Sequence, residues 1–345
     1  MPQQQNQTVF LARTPPPGPL QADAFELRST ALPELKDGDI LVRIIYISID
    51  AGSRAQFDDR ADYVFKTAPG QMPGSSGAVG EVVESRHPDW RAGDLVATGH
   101  TRWQRYQKFS PAREQFLVRI DPSHGPLAMH LGALGLVGFT AYIGIFEIGQ
   151  PRVGETVLVS AAAGATGALA GQFARIAGAR VVGIAGGAAK CAFVKSELGF
   201  DDCVDYRQDD LSGAIRRACP DGVDVYYENV GGAVQKAAFS HLNDFARVAL
   251  CGQVAQYSGE GEAPGPNLMG LVLRRATVRG FLAMDHMARH AEFIGKASAW
   301  YAEGRLQHHA TVTEGLDNIH EAINSLVAGR NIGKQLCQVA DDPVK

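Results

Sequence analysis

The feature that most constrains the fold is a run of small residues between a predicted strand and a predicted helix. Residues Thr156–Ser160 predict a buried strand, residues 161–167 are all Ala, Gly or Thr, and helical spacing follows. Beyond this point, short apolar runs alternate with helix-period segments. The further predicted strands are Arg180–Ala185, Cys203–Tyr206, Asp224–Asn229, Arg247–Gly252 and Thr277–Phe281. Six strands in alternation with helices predict an α/β fold with a doubly wound parallel sheet of the Rossmann type.

The small-residue loop has the pattern of a phosphate-binding loop. Aligned with G-x-G-x-x-G, its glycine positions fall on Ala162, Gly164 and Gly167. Small side chains let the chain turn sharply and let a pyrophosphate approach the backbone, and the helix N-terminus then offers N–H groups and partial positive charge. The predicted contacts are Ala163, Gly164, Ala165, Thr166 and Gly167. The alternative is a small-residue helix that packs tightly on a strand without any ligand.

The end of the second strand indicates which dinucleotide binds. NAD-binding proteins usually carry an Asp or Glu there, which holds the ribose 2′-OH. Here the segment reads Ala185-Gly186-Gly187-Ala188-Ala189-Lys190, without a carboxylate. A lysine at this place suits the 2′-phosphate of NADP(H), because a charge-assisted hydrogen bond contributes about 1.5–3 kcal/mol. The alternative is that Lys190 is a solvated residue at a helix start.

The two ends of the chain have a different rhythm. Residues 1–130 read as β-rich, with a long β-branched run over Ile40–Ile49 and frequent Gly/Pro punctuation, which predicts a small barrel or sandwich. In the tail, apolar residues from Leu316 to Val327 recur at helical spacing, and Gly329 is a suitable stop. Residues 332–339 then predict a final strand.

Charge and cysteine usage exclude several classes of protein. Lys+Arg number 33 and Asp+Glu 37, a net charge of −4, which gives no footprint for nucleic acid or an anionic membrane. No segment predicts a membrane span or a secretory leader. The five cysteines are scattered and none precedes Cys191, so we expect neither a disulfide framework nor a zinc site in the first domain. A cytoplasmic location and the absence of a metal are the resulting predictions.

Taken together, the motifs resemble one family. They are the loop at 161–167, the segment 185–190, Glu228-Asn229-Val230-Gly231-Gly232, the stretch 251–257, Gly280-Phe281-Leu282, Asn331-Ile332-Gly333-Lys334 and, near the N-terminus, residues 32–39. The chain is similar to the zinc-independent medium-chain dehydrogenase/reductases, and within them to the leukotriene B4 dehydrogenase/prostaglandin reductase and alkenal double-bond reductase group. The resemblance implies a GroES-like catalytic domain over 1–130, completed by 300–345, and a Rossmann domain over 131–299. It also implies a homodimer.

The resemblance further implies NADPH-dependent reduction of a C=C bond conjugated to a carbonyl, and it assigns roles to matching residues. Lys190 and Tyr206 would hold the 2′-phosphate, with Gly186 giving room. Other cofactor contacts would come from Thr140, Asn229, Cys251, Tyr257, Phe281, Leu282 and Asn331. Tyr257 would face the substrate carbonyl, and the segment that holds Gly52 and Ser53 would line the substrate cleft. In the family that segment carries bulky Tyr and Met, so a pocket of different shape is expected here. Independently of the resemblance, Tyr46 and Tyr63 in the first domain are weaker candidates for a substrate contact.

Chemistry selects Tyr257 as the candidate catalytic residue. Hydride addition to the β-carbon of an enone builds negative charge on the carbonyl oxygen, and a protonated Tyr hydroxyl is a suitable donor. The alternative is that Tyr257 is a half-buried packing residue. At the level of the whole protein, two other readings stay open. One is a quinone or other carbonyl-type reductase on the same scaffold, and the other is a non-catalytic NADPH-binding protein.

Overall fold

The computed structural model describes residues 5–58, 66–257 and 265–344, and it divides into two compact units. The first consists of Met1–Leu131 and Ala310–Lys345, and the second of Gly132–His309. The predicted boundaries lie at residues 130 and 299. The segment after residue 300 stays with the second unit because Leu306 is buried there and the Gln307 amide donates to Oε1 of Gln172 at 2.6 Å.

The elements of the described ranges are as follows. The strands are β1 (Gln5–Leu11), β2 (Phe25–Ala31), β3 (Ile40–Ile49), β4 (Gly74–Ser75), β5 (Ala78–Ser85), β6 (Leu95–Thr98), β7 (Thr101–Arg102), β8 (Tyr106–Phe109), β9 (Leu117–Arg119), β10 (Thr156–Ser160), β11 (Arg180–Ala185), β12 (Asp202–Asp205), β13 (Val223–Glu228), β14 (Leu242–Leu250), β15 (Thr277–Gly280), β16 (Ala310–Glu314) and β17 (Lys334–Gln338). The α-helices are α1 (Leu136–Ile143), α2 (Ala165–Ile176), α3 (Ala188–Ser196), α4 (Leu211–Ala218), α5 (Gly232–Phe239), α6 (Met269–Arg274), α7 (His290–Ala302) and α8 (Ile319–Val327).

The second unit is built on a six-stranded parallel sheet in the order β12-β11-β10-β13-β14-β15. This is the strand order of a doubly wound nucleotide-binding sheet, so the predicted fold class is confirmed. Strand β14 begins at Leu242, five residues before the predicted start at Arg247. The register between β13 and β14 shifts in this stretch and Phe245 has φ 64°, which hides the strand pattern from the sequence.

Small residues let α2 lie close to the sheet. A Cβ atom on Gly167 would lie 2.3 Å from the carbonyl oxygen of Ala161, and one on Gly171 would overlap the ring of Phe200. Every residue of β10 is buried, as a central parallel strand requires. Helix α1 continues as a π-helix over Gly144–Gly149.

The first unit is β-rich, as predicted. Its main sheet runs β16-β17-β3-β5-β6-β9, with β8 also paired to β3. The tail contributes to this sheet because β17 pairs antiparallel with β3, with Gln335 opposite Ile49. The core contains an aromatic cluster in which the ring of Phe57 lies 5.4 Å from Phe25 and 5.8 Å from Trp103.

Candidate functional site

The loop after β10 has the geometry of an anion site. Ala161 takes the left-handed conformation (φ 52°), and the Gly164 amide donates back to its carbonyl at 2.9 Å. Helix α2 starts at Ala165, and no side chain caps its first turn. The N–H groups of that turn are therefore available to an anion, in line with the residues predicted from Ala163 to Gly167.

The loop after β11 is held against the end of β12. A Cβ atom on Gly186 would lie 2.8 Å from Cε1 of Tyr206, so the tyrosine ring lies directly on the glycine backbone. Oδ1 of Asp205 accepts the amides of Gly187 at 2.9 Å and Arg207 at 3.0 Å, and these bonds lower the pKa of its carboxyl. The structure thus brings Gly186, Tyr206 and the start of α3 together at the carboxyl ends of β11 and β12.

Two cations flank this loop. Lys190 is half-buried in the first turn of α3, and burial together with repulsion from Arg207 lowers the pKa of its ammonium group. A Cβ atom on Gly187 would lie 3.3 Å from a guanidinium nitrogen of Arg207. The guanidinium carbon of Arg207 lies 5.9 Å from the centroid of the Tyr206 ring. Neither cation forms an ion pair within the described residues, although Arg207 lies close enough to Asp205 to help lower the pKa of that carboxyl. The sequence did not single out Arg207, because its closeness to the Gly186 loop depends on the pairing of β11 with β12.

The end of β13 presents Asn229. Its Nδ2 donates to the carbonyl of Ser160 at 2.7 Å, so the amide group has a fixed orientation and its Oδ1 is the atom left for a ligand. The Thr140 hydroxyl donates a hydrogen bond to the carbonyl of Leu136 at 2.8 Å. Burial raises the pKa of the Cys251 thiol to about 11, so this thiol is neutral near pH 7.

Tyr257 follows a short 3-10 turn over Val254–Gln256 and is 41% exposed. Its hydroxyl would lie 3.3 Å from a Cβ atom on Gly252. The turn is tied to the end of β13, because the Val254 amide donates to the carbonyl of Asn229 at 3.0 Å. Tyr257, the candidate catalytic residue, therefore lies near the carboxyl end of β13, close to Asn229, and it is exposed to solvent.

Phe281 and Leu282 differ in their surroundings. The Phe281 ring packs on the helix that contains Gly144, where a Cβ atom would lie 2.8 Å from its Cζ. The side chain of Leu282 is 69% exposed. Their contact with a nicotinamide stays a prediction.

In the first unit, Tyr46 is fully buried in the β3 core, and its hydroxyl donates to Oδ2 of Asp342 at 3.1 Å. Its contact with a substrate stays a prediction. Tyr63 lies outside the described residues. Asn331 is buried, and its Nδ2 donates a hydrogen bond to the carbonyl of Gly333 at 2.9 Å.

The segment that departs from the family pattern forms a 3-10 helix over Ala51–Phe57. Gly52 and Ser53 are buried at its start, where Oγ of Ser53 accepts the Asp50 amide at 3.1 Å. Lys334 is 3% exposed and reaches Oδ1 of Asp50 at 2.6 Å, and this cation holds the pKa of the carboxyl below its usual value in spite of burial. The segment is therefore rigidly anchored, while its contact with a substrate stays a proposal.

Known proteins match the chain over almost its whole length. One family model, described as the N-terminal domain of oxidoreductase, matches residues 7–118, and another, described as zinc-binding dehydrogenase, matches residues 165–301. The NADPH-dependent curcumin reductase of Escherichia coli is 38% identical over 347 residues, which cover 98% of each chain. The chain belongs to the zinc-independent medium-chain dehydrogenase/reductases. The predicted family and the prediction of an oxidoreductase are confirmed.

Two further family members are informative. The NADP(+)-dependent 2-alkenal reductase of Nicotiana tabacum is 38% identical over 304 residues, which cover 88% of each chain. The crystal structure of CurA from Vibrio vulnificus in complex with NADPH matches with a TM-score of 0.87 at 34% identity, covering 97% of this chain and 99% of that one. These similarities extend over both units of the chain.

The described residues contain neither a metal-binding cluster nor a membrane-spanning helix. No group of three or more His, Cys, Asp or Glu side chains within residues 5–58, 66–257 and 265–344 is placed to hold a metal ion. Within the same ranges, every helix is too short or too polar to span a bilayer.

Proposed function

We propose that this protein is an NADPH-dependent reductase of the C=C bond of α,β-unsaturated aldehydes and ketones. The observation that carries the cofactor is the pair Lys190 and Arg207, two cations that flank the Gly186 loop and form no ion pair within the described residues. A 2′-phosphate is an anion that both cations can bind there. The substrate class is supported by the names of the relatives, one a 2-alkenal reductase and one a curcumin reductase.

The chain's residues then have separate roles. The N–H groups of Ala163 and of Ala165–Gly167 bind the pyrophosphate, while the Gly164 amide stays on the carbonyl of Ala161. Lys190, Arg207 and Tyr206 bind the 2′-phosphate at the Gly186 loop. Asn229 Oδ1 accepts a ribose hydroxyl. The bound cofactor supplies a hydride to the β-carbon of the substrate. Tyr257 donates a hydrogen bond to the carbonyl oxygen, where negative charge accumulates, and protonation of the enolate completes the reduction.

A substrate screen that measures NADPH oxidation at saturating cofactor tests this function. We expect turnover with 2-alkenals and enones and a saturated aldehyde or ketone as the product. Turnover with quinones alone would replace the proposal by quinone reduction. Stoichiometric NADPH binding without turnover on either class would indicate a non-catalytic binding protein. An allylic alcohol as product would show hydride transfer to the carbonyl carbon instead of the β-carbon.

We also propose that the protein forms a homodimer through the open edge of the parallel sheet. All four residues of the edge strand β15 are exposed, and α6 beside it exposes Met269, Val272 and Leu273 at 57%, 68% and 67%. An unpaired strand edge next to an apolar helix is a typical site for pairing, and a second copy brings the same strand in antiparallel orientation. The predicted cytoplasmic location stays a prediction.

A charge on this apolar surface is expected to separate the subunits. Because a carboxylate at an apolar interface loses its hydration, Val272→Glu should convert the protein from dimer to monomer in light scattering coupled to size exclusion. The control is Val153→Glu, since Val153 is 85% exposed in the same unit but lies outside α6 and β15. A wild-type monomer, or a Val272→Glu dimer, would refute this interface.

A further inference from the structure

A buried carboxylate lies at the end of β13, next to the phosphate loop. Glu228 is the last residue of that strand and has no exposed surface. Its Oε1 accepts the amides of Val230 at 2.6 Å and Gly231 at 3.1 Å, and the hydroxyl of Ser160 at 3.0 Å. Since Ser160 ends β10, one carboxylate oxygen connects the phosphate loop with the loop that follows β13.

Ser160 extends this connection to Asn229. The Ser160 hydroxyl oxygen accepts the Asn229 amide at 2.8 Å, and the Ser160 carbonyl accepts Nδ2 of Asn229 at 2.7 Å. These two bonds fix the backbone and the side chain of Asn229. The orientation in which Oδ1 is left for a ligand depends on the place that Glu228 gives to Ser160.

A carboxyl group with no exposed surface is unusual at a core position. Among the described residues, no cation pairs with Glu228, and its Oε2 has no hydrogen-bond partner. The carboxylate also contributes, after burial, to raising the pKa of the Tyr226 hydroxyl. Burying a carboxylate in this way costs stability, and an apolar residue at the end of a central strand would avoid that cost. The carboxylate instead holds the loop after β13 against Ser160 through the three hydrogen bonds that its Oε1 accepts.

We propose that Glu228 is a positioning residue for the cofactor. It aligns the start of the phosphate loop with Asn229 through Ser160, so that both loops contact one dinucleotide together. This proposal rests on the proposed function, because it assumes that the dinucleotide binds at these two loops. Among the described residues, the hydrogen bonds of Glu228 go to Ser160, Val230 and Gly231 and not to the loop at Gly186. Glu228 therefore serves the part of the cofactor that NADPH and NADH share.

The test compares three variants by titration of both NADPH and NADH. Glu228→Ala should raise both dissociation constants about tenfold or more, since hydrogen bonds to a charged group are lost, and the NADPH:NADH ratio should stay within twofold. Glu228→Gln should stay within about threefold of wild type for both, because its amide oxygen still accepts all three bonds. Ser160→Ala should weaken both cofactors several-fold and provides the test if Glu228→Ala does not fold. The matched control is Glu155→Ala. Glu155 directly precedes β10, at the opposite end of that strand from Ser160, and pairs with Arg247.

The outcomes separate positioning from mere stability. If Glu228→Ala and Ser160→Ala lower the unfolding midpoint and the number of competent sites but leave both dissociation constants unchanged, the proposal is wrong. It is also wrong if Glu228→Gln loses affinity as strongly as Glu228→Ala, or if Glu155→Ala weakens binding equally. Failure of the wild-type protein to bind NADPH would instead refute the proposed function.

Discussion

Replacing Lys190 and Arg207 together with alanine is expected to weaken NADPH binding by about two orders of magnitude and to change NADH binding by less than about threefold. Each cation contributes a charge-assisted hydrogen bond of about 1.5–3 kcal/mol, and 1.4 kcal/mol corresponds to a factor of ten. Only NADPH carries the 2′-phosphate that we propose these two groups bind. Each single variant should lose about tenfold, and the double variant should switch the preference between the two cofactors.

Fluorescence titration of NADPH and NADH with each variant measures this effect. Lys195→Ala is the matched control, since Lys195 lies on the same helix α3 but pairs with Asp202 at 3.3 Å on the surface. Because the pKa of Lys190 is already lowered, NADPH affinity should fall as pH rises through that pKa. Equal losses for NADPH and NADH would remove both cations from the 2′-phosphate site.

The second large effect is expected at Tyr257. Tyr257→Phe should lower kcat for enone reduction about a hundredfold, which is the range for loss of one hydrogen-bond donor to a developing oxyanion. The dissociation constant of NADPH should change little, because the ring is retained. The loss therefore belongs to the chemical step and not to cofactor binding.

Steady-state kinetics with an enal, together with NADPH titration, tests this assignment. Tyr301→Phe, which removes a half-buried hydroxyl on α7, should behave as wild type. An unchanged kcat in Tyr257→Phe would show that Tyr257 has a packing role and that another group stabilises the enolate.

The sequence predicted the parallel sheet well because its strands have a strong local signal. Apolar runs such as Thr156–Ser160 and Arg180–Ala185 are central strands buried on both faces, and their bounds agree with the structure. The phosphate loop was also predictable, since a sharp turn and close helix packing allow small residues alone. In contrast, the start of β14 was missed because a register shift interrupts its pattern.

The parts of the site that depend on tertiary contacts could not be predicted. Arg207 lies at the Gly186 loop because β12 lies beside β11, which a linear pattern does not reveal. Nor does the sequence reveal that the hydroxyl of Tyr46, a predicted substrate contact, donates to Asp342, almost three hundred residues away along the chain. Glu228 reads as one polar residue in a motif until its contacts with Ser160 and Gly231 are seen.

A crystal structure of the protein with NADP+ tests the central claim most directly. We expect the pyrophosphate within hydrogen-bond distance of the amides at 163–167 and the 2′-phosphate in contact with Lys190 and Arg207. A dinucleotide bound with its extra phosphate away from both cations, or no density at that loop when NADP+ is saturating, would contradict the account.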